Sequence, residues 1–226
     1  MAQRTLLETS FCDRTHQLLD RLPRHSFPFD KARIPRNGIY FLYEEGEPGH
    51  EGLRIVRVGT DTGEKQLRSR LKQHFLLENK DRSIFRKNIG RAMLSMDKDP
   101  FLREWEIDLT PTQAKKAFSG LIDPAKRKEV EKKVTEYIQK HFQFSVVRCD
   151  DKQKRLHLES RIISTVSLCP ECRPSPDWLG LFSPKRKIRE SGLWQVNELY
   201  KRPMDEDDFE TLRSLAERTL VDNSLI

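Results

Sequence analysis

Two short apolar runs constrain this chain most: Gly38 to Tyr43 and Leu53 to Gly59, rich in aromatic and β-branched residues and separated by the Gly/Glu/Pro-dense Glu44 to Gly52. That layout predicts an antiparallel hairpin. The period then changes from two to about 3.6. Leu67, Leu71 and Phe75 recur four apart within 64–77, and a second helical pattern covers 83–96. Phe101 to Leu109 reads as a further strand. Asp123 to His141 reads as a helix with Pro124 in its first turn, Phe142 to Cys149 as a strand, and 152–168 as a helix. A Pro-rich loop, Cys169 to Pro184, precedes a terminal helix opened by the acidic Asp205 to Asp208. Ahead of the hairpin, Leu6, Phe11, Leu18, Leu19 and Leu22 predict a helical arm ending before Pro23, followed by a loop from Phe27-Pro28 to Pro35. With 226 residues, the chain is long enough for one domain with attached helices. The expected division is an arm over 1–36, a core over 37–200 with an insertion near 97–141, and a C-terminal helix over 201–226.

Lys and Arg number 42 against 35 Asp and Glu, a formal charge of +7 that suits a polyanionic partner. Met1 to Arg36 holds no long apolar run with a basic flank, so neither a leader nor a membrane span is expected and the location reads as cytoplasmic. Cys12, Cys149, Cys169 and Cys172 are too few and too unevenly spaced for a disulfide framework. Cys169 and Cys172 have zinc-ligand spacing, but no second pair follows. A structural zinc takes four ligands, and Cys149 with His157 are the residues that would complete it.

Projected on a helix, Arg70 and His74 lie one turn apart at the edge of the stripe of Leu67, Leu71 and Phe75, at the rim of a core. On the later helix, Leu156, Ile162, Ile163 and Val166 bracket Glu159, placing its carboxylate in the middle of the face due for burial. A buried charge needs compensation. A metal ion, an arginine such as Arg70, protonation, or escape of the carboxylate to solvent along its stem would supply it.

Asn37-Gly38-Ile39-Tyr40, Arg57-Val58-Gly59-Thr60, Arg70 to His74 and Glu159, in that order, resemble the signature of the GIY-YIG nucleases. The resemblance spans about 37–198. It departs from the family at one position, where Arg57 replaces the tyrosine of the second motif. It implies an α/β fold of the α+β kind, a small three-stranded, mostly antiparallel sheet flanked by helices, and an endonuclease that hydrolyses phosphodiester bonds in duplex or branched DNA. The cofactor implied is one Mg²⁺ or Mn²⁺ held by Glu159, a hard oxygen donor. Tyr40 is implied as general base, Arg70 as the phosphate brace, His74 as relay or orienter of Tyr40, and Asn197 as a positioning group. A phenol is a poor base at neutral pH, so the positive field of Arg57, Arg70, His74 and the ion would have to favour its ionised form. Lys72, Arg86, Lys87, Lys185, Arg186 and Lys187 are the expected contacts to nucleic acid. Ordinary roles stay open: Tyr40 as a core aromatic, Arg57 as an edge-strand charge, Asn197 as a turn cap. The alternative is a catalytically degenerate nucleic-acid-binding module on the same fold, which Arg57 suggests.

Overall fold

A computed structural model describes residues 2–61 and 63–224, leaving aside the side chains of 2–10, 119, 223 and 224; Leu6 therefore lies outside the described side chains. The expected hairpin is present as β2 (Gly38–Gly49) and β3 (Gly52–Gly59). Strand β4 (Phe142–Arg148) pairs antiparallel with β2, from Gly38 opposite Arg148 to Glu44 opposite Phe142. A fourth strand, the two-residue β1 (His25–Ser26), pairs with β4, giving the order β1-β4-β2-β3. The sheet thus has four strands rather than three. Stacking of the His25 ring on Phe144 at 5.2 Å holds this short addition.

Helices cover both faces, which is why β2 is apolar from Ile39 to Tyr43 rather than alternating. Ile39, Phe41 and Tyr43 face a core built with α1 (Ala2–Asp20), α7 (Lys152–Leu168) and α9 (Glu206–Ser224). Tyr40 and Leu42 face the opposite core, built with α2 (Leu67–Phe75), α3 (Ile84–Met96), α4 (Leu102–Glu106) and α6 (Pro124–His141). Each of these buried side chains contributes about 1.5–3 kcal/mol. Both the N-terminal arm and the C-terminal helix share a core with the sheet. Two shorter helices, α5 (Thr112–Phe118) and α8 (Arg186–Ser191), complete the described helices apart from 3₁₀ turns. Among the described residues, no helix is long and apolar enough to cross a membrane.

The strand expected at 101–109 is instead α4 and flanking loop. Phe101 and Trp105 are both buried, four residues apart, with the Trp105 indole donating to the Lys87 carbonyl at 3.0 Å. That is a helical period, not an alternating one. Caps fix other boundaries: Ser83 Oγ accepts from Arg86 N–H, and the Asp123 carboxylate accepts from Ala125 and Lys126 N–H.

Strand β3 lies at the sheet edge, yet its outward groups are engaged. Trp194 N–H donates to the Val56 carbonyl at 2.8 Å, and Gln195 Oε1 accepts from Val58 N–H at 3.0 Å. The chain after α8 therefore straps the edge.

Candidate active site

Strands β2 and β3 meet at Tyr40 opposite Gly59. A Cβ on Gly59 would collide with the ring and hydroxyl of Tyr40, and one on Gly38 would lie 2.5 Å from the Val147 carbonyl oxygen. Both motif glycines are thus required by close approach, Gly59 because the phenol lies across its backbone. Gly59→Ala is expected to push the ring aside and cost about 1–3 kcal/mol of stability, read by urea unfolding. An unchanged midpoint would mean the ring does not lie there.

Tyr40 Oη and His74 Nε2 are 2.8 Å apart, and His74 Nδ1 is 2.8 Å from Ser83 Oγ. His74, expected at a rim, is buried. The reason is α3, which brings the Phe85 ring edge-on at 5.3 Å and Ser83 from its cap. Burial, then the charges of Arg57, Arg70 and Arg86, holds His74 well below the usual imidazole range. It is therefore neutral at physiological pH.

Arg57 sits on the Tyr40 face. The regular register from Tyr40 opposite Gly59 to Leu42 opposite Arg57 puts it there, and the extra residue of the bulge that follows is Val56, since Tyr43 lies opposite Ile55. Its Nε approaches Tyr40 Oη at 3.4 Å, while Nη1 donates to the Trp194 carbonyl at 2.6 Å. The residue that departs from the expected motif thus reaches the phenol oxygen directly.

Thr60 links this cluster to α7. Its hydroxyl donates to the Gly38 carbonyl at 2.7 Å, and its N–H donates to Glu159 Oε1 at 3.1 Å. Among the described residues Glu159 makes no ion pair and no other hydrogen bond. Burial raises its carboxyl above the ordinary value; the Thr60 N–H and the charges of Arg57 and Arg70 pull it back, and Glu198 pushes it up again. Arg70 is half-buried, its Nη1 donating to Gln73 Oε1 at 3.1 Å and to the Arg82 carbonyl at 3.5 Å.

The model of the GIY-YIG domain family matches residues 12–221. The chain belongs to the GIY-YIG family. No curated protein and no solved structure matches it. Membership supports a nuclease-like function for this GIY-YIG domain in general.

The remaining residues singled out in the sequence are placed unevenly. Asn197 is exposed and forms no hydrogen bond among the described residues. Its neighbours are the engaged ones: Gln195 on β3, and Glu198, in the left-handed region at φ 63°, accepting from Ser160 Oγ. Lys72, Lys185, Arg186 and Lys187 are exposed. Arg86 and Lys87, expected to face nucleic acid, are turned inward instead. Arg86 pairs with Glu131 at 2.8 Å, and Lys87 Nζ donates to the Glu106 carbonyl at 2.7 Å. Thr60 belongs to the second motif without an expected role of its own, whereas Ser83 and Glu198 carry no sequence signal that points to the site.

Proposed function

We propose that this protein is a metal-dependent endonuclease that hydrolyses phosphodiester bonds in DNA. The observation that carries the reading is a phenol–imidazole–hydroxyl chain, Tyr40 to His74 to Ser83, beside a half-buried carboxylate, Glu159, that lacks an ion pair among the described residues and is tied by Thr60 to the backbone of Gly38 at the start of the Tyr40 strand. A single carboxylate oxygen donor with a raised proton affinity fits a hard divalent cation, so Glu159 would hold Mg²⁺ or Mn²⁺. When bound, such an ion stabilises negative charge on the phosphoryl oxygens.

The protein groups divide the remaining work. Arg86 N–H donates to Ser83 Oγ, leaving the hydroxyl proton for His74 Nδ1. The neutral imidazole then donates Nε2–H to Tyr40, and Arg57 Nε–H approaches from another side. With two donors converging on it, Tyr40 Oη is held as an acceptor; once its own proton has passed to solvent, the phenolate they stabilise can take a proton from an attacking water. Arg57 is anchored on the Trp194 carbonyl and Arg70 on Gln73 and Arg82, both with further N–H groups for a phosphate. Lys72, Lys185, Arg186 and Lys187 would attract the polyanion without reading bases.

The test is incubation with supercoiled, branched and single-stranded DNA and with RNA, in Mg²⁺, Mn²⁺ or chelator. Ion-dependent nicking of DNA is expected, slowed about 10²–10⁴-fold by Tyr40→Phe with DNA binding kept. A wild type that binds DNA but never cleaves it supports instead a binding module, the reading that Arg57 in the second motif favours.

A further inference from the structure

On the sheet face away from Tyr40, three distant parts of the chain deliver five soft or borderline donors to one buried point. Cys12 and His16 come one turn apart from α1, His50 from the β2–β3 turn, and Cys169 and Cys172 from the loop after α7; all five are buried. The ligand atoms of Cys12, His16, His50 and Cys172 lie within 4.8 Å of one another. The Cys12 and Cys172 sulfurs are 3.6 Å apart, and His50 Nε2, one of the clustered atoms, is 3.2 Å from Cys169 Sγ, which brings the fifth donor to the same point. Around a tetrahedral zinc with ordinary bond lengths, S–S edges are about 3.8 Å and S–N edges about 3.6 Å. The cluster is already close to that shape. Edges so short leave room for one ion, not for a multi-iron cluster in which each iron needs its own ligands.

Which four ligate follows from the hydrogen bonds. His16 is spoken for: Nδ1 lies 2.9 Å from the Cys12 carbonyl oxygen, to which it donates, and Nε2 accepts from Ile55 N–H at 3.1 Å. His50 is free on the inner side. Its Nδ1 faces the carboxylates of Asp13 at 3.4 Å and Glu171 at 3.5 Å. That is the carboxylate–histidine arrangement that orients a metal-binding imidazole. The turn holds two non-glycine residues in the left-handed region, His50 at φ 49° and Glu51 at φ 63°. Such backbone costs free energy, and here it directs the imidazole inward.

We infer that Cys12, His50, Cys169 and Cys172 form a closed structural zinc site, with His16 as its wall. The partners of the Cys169/Cys172 pair are thus not Cys149 and His157. Cys149 Sγ donates to the Asp151 carbonyl, and His157 is exposed and bonded to Asp208. The site would staple the N-terminal helix and the hairpin turn to the loop after α7. It stands independently of the proposed nuclease activity.

Wild-type protein from zinc-supplemented cells, dialysed into metal-free buffer, should retain about one zinc per chain by plasma emission spectrometry. A mercurial thiol reagent should release that zinc as about three thiols react. Cobalt-exchanged protein should show thiolate-to-cobalt charge transfer and the intense visible bands of a tetrahedral site. His50→Ala and Cys169→Ser should each lose at least about nine-tenths of the zinc, while His157→Ala should retain it. If the variants fail to fold, the wild-type stoichiometry and cobalt spectrum decide. A wild type that holds no zinc after exposure to excess Zn²⁺, a Cys12–Cys172 disulfide in non-reducing peptide maps, or cobalt bound without thiolate bands would overturn the inference.

Discussion

Glu159→Gln should abolish divalent-ion-dependent cleavage, by at least about a thousandfold, because the stabilisation of phosphoryl charge it removes amounts to several kcal/mol. It should also leave the metal-free protein more stable than wild type near neutral pH. The sign follows from the raised carboxyl. Between the ordinary carboxylate value and the higher value in the folded state, the native protein binds more protons than the unfolded chain, so wild-type stability falls as pH rises through that window. Above it the full penalty of an ionised, half-buried carboxylate remains. Glutamine keeps an oxygen for the Thr60 N–H and carries no charge, so its advantage should be present near pH 7 and fade below the ordinary carboxylate range. Added Mg²⁺ should raise the wild-type melting temperature and not that of the variant, since only a ligand that binds the native state stabilises it. A glutamine variant that is less stable at neutral pH, or that still cleaves, contradicts the assignment.

Glu131→Ala should produce the largest stability loss, about 3–5 kcal/mol, because it leaves a buried guanidinium uncompensated. Arg86 and Glu131 are 0% and 3% exposed at their side chains, so solvent cannot take over the charge. Arg86 also donates to Thr135 Oγ1 at 2.8 Å and to the His74 carbonyl at 3.1 Å. The loss should therefore extend to the end of α2 that carries the imidazole. Replacing both partners by apolar residues, Arg86→Met with Glu131→Leu, should cost much less than Glu131→Ala, as expected when the single change mainly strands a charge. Chemical denaturation of the single and paired variants measures this; a single variant within about 1 kcal/mol of wild type would show that the guanidinium finds water.

What was legible in the sequence divides along physical lines. The hairpin, α6 and α7 carry their own periodicity and caps, and the apolar neighbours at 156, 162, 163 and 166 point to an inward Glu159, which the structure leaves half-buried. Residues whose surroundings come from distant segments are not legible in this way. The basic repeat of α3 looked like a solvated stripe, because nothing near Arg86 announces that Glu131 waits 45 positions on. His74 looked like a rim residue because a helical projection contains no α3 to cover it. Of the metal-ligand cluster the sequence shows only the Cys169/Cys172 spacing, and it suggests the wrong partners, Cys149 and His157. The meeting of the cluster depends on α1 packing beside the hairpin, which the sequence states nowhere. Arg57 reads in the sequence only as a departure from a motif, whereas its pairing opposite Leu42 puts it on the face of Tyr40.

The strap over β3 has a consequence for assembly. Hydrogen bonds from Trp194 and Gln195 occupy that edge, and the opposite edge is a strand of two residues. Neither border of the sheet offers a long row of free backbone groups for strand addition. If the proposed nuclease activity holds, two copies of this chain would therefore have to meet through helices or loops to sever both strands of a duplex at once. Without such a meeting, a double-strand break would arise as two separate nicks.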